Sequence, residues 1–360
     1  MEFALSEEQL MMQDSVTRYL ADRATLDTVR GLIAAGPVHD AGLWSGLAGL
    51  GICGLLVPQE YGGAGMTLLD AMLVQEVLGR HVVPVSFIPT SVLAPLALLA
   101  AGTAEQKQKW LPAIAEGRMQ VAVGLSEACG ARDGAGVTVA GAKLSGRALF
   151  VLGAADAAIT LLCSSEGDVY AVEQGAAGLE RTSLRSIDDT QCLGELNLHD
   201  VTAELLPAGE EDVIPRLLDA GRVMLAADIL GAAQKMLELA VAYSLERKQF
   251  NRLIGSFQAV KHLCAEMAAE LEPCRSLVWY AAHAYDAVPE ESRLMACHAK
   301  AHLAEVGRFV ARSSTEVHGG MGFTDLLGLH YWFKRIGCNR QLLGGPERVR
   351  EEAARVQGWI

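Results

Sequence analysis

Near its C-terminal end, this chain of 360 residues groups side chains able to hold a phosphorylated, ring-bearing ligand. Arg247-Lys248-Gln249-Phe250 is followed, across a short turn over Asn251 to Gly255, by Ser256-Phe257-Gln258. Arg247 offers a planar, forked donor suited to a pyrophosphate. Phe250 offers a flat face to a ring, and Gln258 an amide that both donates and accepts at a base edge. An R-x-x-F pair standing alone also reads as an exposed charge beside a core aromatic. The second group is Glu316-Val317-His318-Gly319-Gly320-Met321-Gly322-Phe323. Its glycine pair can simply end a helix. Lacking a Cβ, it can also let a ligand approach the backbone closely.

Other chemistries find no support. No G-x-G-x-x-G follows a strand and opens a helix, and no P-loop is present, which argues against a nicotinamide-type Rossmann domain. His318-Gly319-Gly320 is the kind of run that supplies an oxyanion hole, but no G-x-S-x-G elbow accompanies it. A net charge of −13 without any block of lysines or arginines argues against nucleic acid as a partner. The eight cysteines form no C-x-x-C pair and no zinc-type spacing, so they read as reduced thiols packed inside a protein. The acidic N-terminus lacks a signal-peptide core. The most apolar stretch, residues 91–102, is broken by Pro95 and is too short to span a bilayer. A cytoplasmic location is the expectation.

The elements that must position the two groups fall into three blocks. From Ser6 to about residue 115 the apolar spacing is helical. Ser6-Glu7-Glu8-Gln9 has capping-box spacing. A turn over residues 57–65 interrupts this block, with Gly62, Gly63 and Gly65 free to take positive φ. Thr67 is placed to cap the helix that follows. Between about residues 119 and 206 the runs 121–123, 137–139, 158–162 and 168–172 are short and β-prone, which predicts a small antiparallel β domain. Helical texture returns over 214–246, 256–287 and 291–318, and once more after Pro346. Helices, then strands, then helices predict an α+β protein with a β domain inserted between two α-helical blocks. The expected boundaries are 1–118, 119–208 and 209–360.

The combination resembles the acyl-CoA dehydrogenase family along nearly the whole chain. Gly51-Ile52-Cys53-Gly54-Leu55-Leu56-Val57-Pro58-Gln59-Glu60-Tyr61-Gly62-Gly63-Ala64-Gly65 resembles its N-terminal signature, and residues 102–112 its helix before the β domain. Residues 247–258 and 316–322 resemble its two cofactor motifs. The resemblance implies the acyl-CoA dehydrogenase fold: an N-terminal α-helical domain, a central antiparallel β domain and a C-terminal four-helix bundle. It implies α,β-dehydrogenation of an acyl-CoA thioester, in which a carboxylate takes the α-proton and FAD accepts the β-hydride. It assigns Arg247, Gln249, Phe250, Ile254 and Gln258 to the diphosphate and adenosine half of an FAD held mainly by the neighbouring subunit. Glu316, Gly319 and Gly320 line the same cofactor, although relatives usually carry Gln where Glu316 stands. Ser126 keeps a hydroxyl that meets the flavin. Asp219 and Arg222 lie on the helix that touches the CoA arm of the substrate.

Departures from the family pattern are equally specific. The family's usual base sits in a Tyr-Glu-Gly tripeptide, which here is Leu343-Gly344-Gly345. The second family position for a base falls on Gly221. No catalytic base is therefore assigned; a one- or two-residue shift would leave Asp219 or Glu347 as alternatives. The family's flavin-contacting Ser-Glu-Pro-x-x-Gly-Ser-Asp stretch appears here with Arg132 in its second serine position, before Asp133. Its Trp-x-Thr appears as Phe150-Val151-Leu152. The ending also resembles the smaller subunits of heteromeric acyl-CoA dehydrogenases that act on steroid side chains. The resemblance thus implies an α2β2 assembly in which this chain completes the FAD site of a homologous catalytic subunit. Electron-transfer flavoprotein or a similar acceptor would take the electrons. A self-sufficient homo-oligomer with a displaced base, and a non-catalytic scaffold on the same fold, are the alternatives.

Overall fold

The computed structural model describes residues 4–36, 40–130, 135–155, 157–207 and 213–360. Six helices come first: α1 (Glu7–Arg23), α2 (Leu26–Ala35), α3 (Ala41–Gly49), α4 (Leu68–Arg80), α5 (Ala94–Ala101) and α6 (Ala104–Ala115). Ser6 and Gln9 form the expected capping box on α1, and Thr67 with Asp70 forms one on α4. In the turn before α4, Gly62 and Gly65 take left-handed φ. Gly63 does not. A side chain there would run into the Val57 carbonyl, so it is needed for close approach.

The middle of the chain forms one sheet from β1 (Val121–Gly124), β2 (Gly136–Ala140), β3 (Lys143–Leu152), β4 (Ile159–Cys163), β5 (Val169–Glu173), β6 (Leu179–Leu184), β7 (Leu193–Thr202) and β8 (Glu204–Leu206). Its order is β6-β7-β3-β1-β4-β5-β8, with β2 beside β3. The expectation of a purely antiparallel sheet needs one correction: β1 and β4 pair in parallel. Consecutive β3 and β4 run in opposite directions with β1 inserted between them, so β1 must be parallel to one of the two.

Three long helices follow, α7 (Val213–Glu246), α8 (Gln258–Ala287) and α9 (Pro289–His318), then the shorter α10 (Leu329–Gln341) and α11 (Pro346–Val356). Between α7 and α8 lies a two-stranded hairpin, β9 (Lys248–Gln249) and β10 (Arg252–Leu253). Because α8 reverses α7 and α9 reverses α8, the C-terminal ends of α7 and α9 meet. There the Tyr243 and His318 rings stack, with centroids 4.5 Å apart.

Burial of apolar residues joins the helical blocks and one face of the sheet in a single core. A buried polar cluster ties the sheet to the helices: Arg335 of α10 reaches Asp188 (2.8 Å) and Asp228 of α7 (3.2 Å), and Asn339 donates to Asp228 (2.7 Å). With Arg335 answered by two buried carboxylates, the cluster fixes one docking geometry.

Helices α4 and α7 cross at contact distance because Gly79 and Gly231 lack side chains. A Cβ on Gly231 would collide with the Glu76 carbonyl, and one on Gly79 with the backbone of Asp228. Arg80 clamps the same crossing through both oxygens of Glu238, each at 2.6 Å. Backbone cannot move aside as a side chain can. Gly231→Ala should therefore destabilise the fold by ~3 kcal/mol in urea unfolding; a change below ~0.5 kcal/mol would contradict the close crossing.

Candidate functional site

Two places collect the residues singled out in the sequence. The outer one lies where the ends of α7 and α9 meet the start of α8. Arg247, Gln249, Phe250, Gln258, Glu316, Gly319 and Gly320 are all exposed there, and Ile254 is half-buried. The expected turn is the β9–β10 hairpin, closed by the Ile254 N–H donating to the Arg247 carbonyl at 2.8 Å. Its two central residues, Phe250 and Asn251, take φ of 51° and 63°. A bulky side chain at positive φ is strained, and the hairpin's twist requires it. Phe250 is 87% exposed, edge-on to Phe257 with ring centroids 6.2 Å apart. Among the described residues, no carboxylate pairs with Arg247 and no side chain covers Phe250. An unpaired guanidinium and an uncovered aromatic on a strained hairpin suit contact with something outside the monomer.

The inner place is a pocket of about 410 Å³ between the sheet and the C-terminal helices. Ser126, Phe150 and Leu193 come from the sheet side, and Leu342, Leu343, Gly344, Gly345 and Arg348 from the α10–α11 connection. A register shift in β3 between Ala148 and Val151 gives Phe150 a φ of 51° and turns it into the pocket. No described residue lining the pocket is a carboxylate. Both pocket cysteines are buried, and burial pushes the Cys129 thiol up and the Cys338 thiol up to about 12, so neither is a ready nucleophile. Arg132 and Asp133 lie outside the described residues.

At Gly344 and Gly221, where the resemblance implies the family's base positions, the backbone itself is distinctive. Leu343 has φ 54° and Gly344 φ 102°. A side chain on Gly344 would be strained by that φ and would meet Val349 at 3.1 Å. The Leu343 side chain occupies the space over Gly221, where any Cβ would collide with it. Both positions are thus closed to a carboxylate as the loop stands.

The loop is held from beneath. Arg222 Nε donates to the Leu343 carbonyl (3.1 Å), and Lys300 Nζ donates to the carbonyls of Arg340 (2.9 Å) and Gly344 (3.2 Å). Arg222 also pairs with Glu352 (2.7 Å), as does Arg293 (2.7 Å), which reaches Asp219 at 2.6 Å. Asp219 and Arg222 are almost fully buried and do not line the pocket. Burial pushes the Asp219 carboxyl up, opposed by Arg293. As alternative bases, Asp219 is committed to Arg293, and Glu347 is solvent-facing and paired with Arg340 at 3.2 Å. Lys300, Arg293 and Arg348 went unremarked in the sequence. A buried lysine is rare, and nothing in the alanine-rich run around Lys300 distinguishes it from a surface one.

Helical, sheet and helical blocks follow one another in the order expected of the acyl-CoA dehydrogenase fold. Residues 6–118 match the acyl-CoA dehydrogenase N-terminal domain and residues 212–357 the acyl-CoA dehydrogenase C-terminal domain; the chain belongs to the acyl-CoA dehydrogenase family. The acyl-CoA dehydrogenase IpdE2 of Mycobacterium tuberculosis is 31% identical over 344 residues, 95% of each chain. A variant of the Tcur3481-Tcur3483 steroid ACAD shares 30% identity and a TM-score of 0.90, each chain covered to 98%. The ChsE4-ChsE5 complex from Mycobacterium tuberculosis matches at 25% identity and a TM-score of 0.91 over the full length of both chains. Among the described residues no His/Cys/Asp/Glu group could hold a metal ion, and no helix is long and apolar enough to cross a membrane.

Burial and the neighbouring Arg222 lower the Lys300 amine to about 7. Above the ordinary lysine range neither the folded nor the unfolded chain charges it. As pH falls toward 7 the unfolded chain binds a proton that the fold does not, so Lys300 subtracts progressively more stability; below 7 the cost levels off. Lys300→Met should therefore gain on wild type by ~3–5 kcal/mol as pH falls from about 10 to 7 in urea unfolding. A gap that stays constant with pH would contradict the depressed amine.

Proposed function

We propose that this chain is the base-lacking subunit of a heteromeric acyl-CoA dehydrogenase and completes the FAD site of a homologous catalytic subunit. One contrast carries the reading. The outer edge keeps an unpaired Arg247, an uncovered Phe250 and an accessible Gln258, while the inner pocket has no carboxylate among its described lining residues and both base positions are glycines. General decay of the site would not spare one half and empty the other.

The donor set of the outer edge fits the adenosine-diphosphate half of FAD. Arg247 neutralises the diphosphate and Phe250 covers a ring, with Gln249, Ile254 and Gln258 beside them. Gly319 and Gly320 leave the backbone open to close approach, and neither has any atom within 4 Å of an added Cβ. Glu316 places a carboxylate beside this edge, which calls for a partner cation or a tilt away from the phosphates. The inner pocket fits the flavin ring poorly, since Leu152 is buried and offers no hydroxyl; Ser126 alone of the family's hydroxyls remains there. When bound, FAD supplies the hydride acceptor for Cα–Cβ oxidation. Asp219 and Arg222 shape the substrate side indirectly, by holding the loop that closes this chain's own pocket.

The two-component structural relatives, Tcur3481-Tcur3483 and the ChsE4-ChsE5 complex, support a heteromer, and the steroid ACAD supports a steroid side-chain CoA as the substrate class. Electron-transfer flavoprotein or a similar carrier is the proposed acceptor. Purified alone, the chain should be colourless and unable to oxidise acyl-CoA; co-purified with its partner, it should be yellow and active. Arg247→Ala in this chain should weaken FAD in the complex by ~1.5–3 kcal/mol, the loss of one charge-assisted pair. A yellow, active preparation of this chain alone would overturn the proposal in favour of a self-sufficient enzyme. Flavin content indifferent to Arg247→Ala would overturn the placement of the outer edge.

A further inference from the structure

We infer that the inner pocket of this chain is itself a binding site for a small apolar monocarboxylate, held by Arg348 and Ser126. The inference rests on the assembly proposed above, because it needs this pocket to be free of flavin in the complex.

The pocket wall is apolar where Phe150, Leu193, Leu342 and Leu343 meet. At one end the Arg348 guanidinium stands over Gly130, close enough that an added Cβ would lie 2.8 Å from Nη1. Among the described residues no carboxylate pairs with Arg348. Glu352, one helical turn on, gives one oxygen to Arg222 and the other to Arg293. Ser126 is 5% exposed and lines the same pocket. A hydroxyl on the pocket wall can donate to an oxygen bound there.

The charge around the pocket selects an anion. Arg348 is the charged side chain that lines the pocket among the described residues; beneath it Arg222 and Arg293 are answered by Asp219 and Glu352, and Arg340 by Glu305 and Glu347. The carbonyls of Leu343, Arg340 and Gly344 are already taken by Arg222 and Lys300 and so do not answer Arg348. The N-terminal end of α11, at the pocket rim, adds further positive potential. A forked guanidinium matches the two oxygens of a carboxylate, and Ser126 can donate to one of them. The volume suits a body of about two fused rings.

Calorimetric titration of the purified complex with 2-naphthoate, and with uncharged 2-naphthamide, tests this. Naphthoate should bind once per copy of this chain without changing the visible flavin spectrum. Arg348→Gln should weaken it at least ten-fold, and Ser126→Ala about three-fold. Naphthamide should bind weakly and equally to all three proteins. Undetectable naphthoate binding, or equal naphthoate affinity in wild type and both variants, with the flavin unchanged, overturns this inference alone. Displacement of flavin by naphthoate overturns the assembly reading beneath it as well.

Discussion

The Leu343 side chain packed over Gly221 is the contact on which the rest of this site depends. It fills the volume that a base on α7 would need, and it can do so only because Gly221 has no Cβ. The same residue carries a left-handed φ and leads into Gly344, whose own φ disfavours any side chain. Arg222 and Lys300 hold the loop in that form by taking its carbonyls. Of these two groups, Arg222 is answered by Glu352 at 2.7 Å, and burial lowers the Lys300 amine to about 7.

The outer edge answers to a different constraint. Its hairpin is short, so Phe250 and Asn251 must both accept positive φ, a conformation that neither glycine freedom nor core packing supports. A monomer gains nothing from holding an aromatic ring strained and uncovered. A complex does, if the ring meets a ligand or a neighbouring chain. Stacking of Tyr243 on His318 brings the hairpin and the Gly319-Gly320 turn to the same end of the molecule. Rigid placement of both motifs then comes from α7 and α9, the best-packed helices of the fold.

Much of this was legible beforehand. Capping boxes at Ser6 and Thr67 appear where their spacing puts them, and the three long C-terminal helices begin and end within a few residues of their periodic runs. Runs of valine, isoleucine and threonine marked β1, β2, β4 and β5. The longest strands, β3 and β7, escaped notice because glycine, charge and asparagine interrupt their apolar alternation, and pairing with neighbours overrides that local weakness. Parallel pairing of β1 with β4 depends on topology and leaves no local mark. Glycines at 221 and 344 were visible where the resemblance implies an acid. The Leu343 plug, the buried Lys300 and the pocket-lining Arg348 were not, because each depends on which chain segments meet in space. Charge commitments such as Asp219 to Arg293 likewise lie beyond any one-dimensional pattern.

Complementation between unlike subunits is the central claim, and the number of flavins per assembly tests it most directly. Native mass spectrometry of the intact complex of this chain with its homologous partner, alongside visible absorbance, counts them. Two FAD per four chains is the result expected when only the partner's pockets hold the ring and this chain supplies the outer edge. Four FAD per four chains would show that this chain's pocket holds a flavin of its own, and would contradict the account.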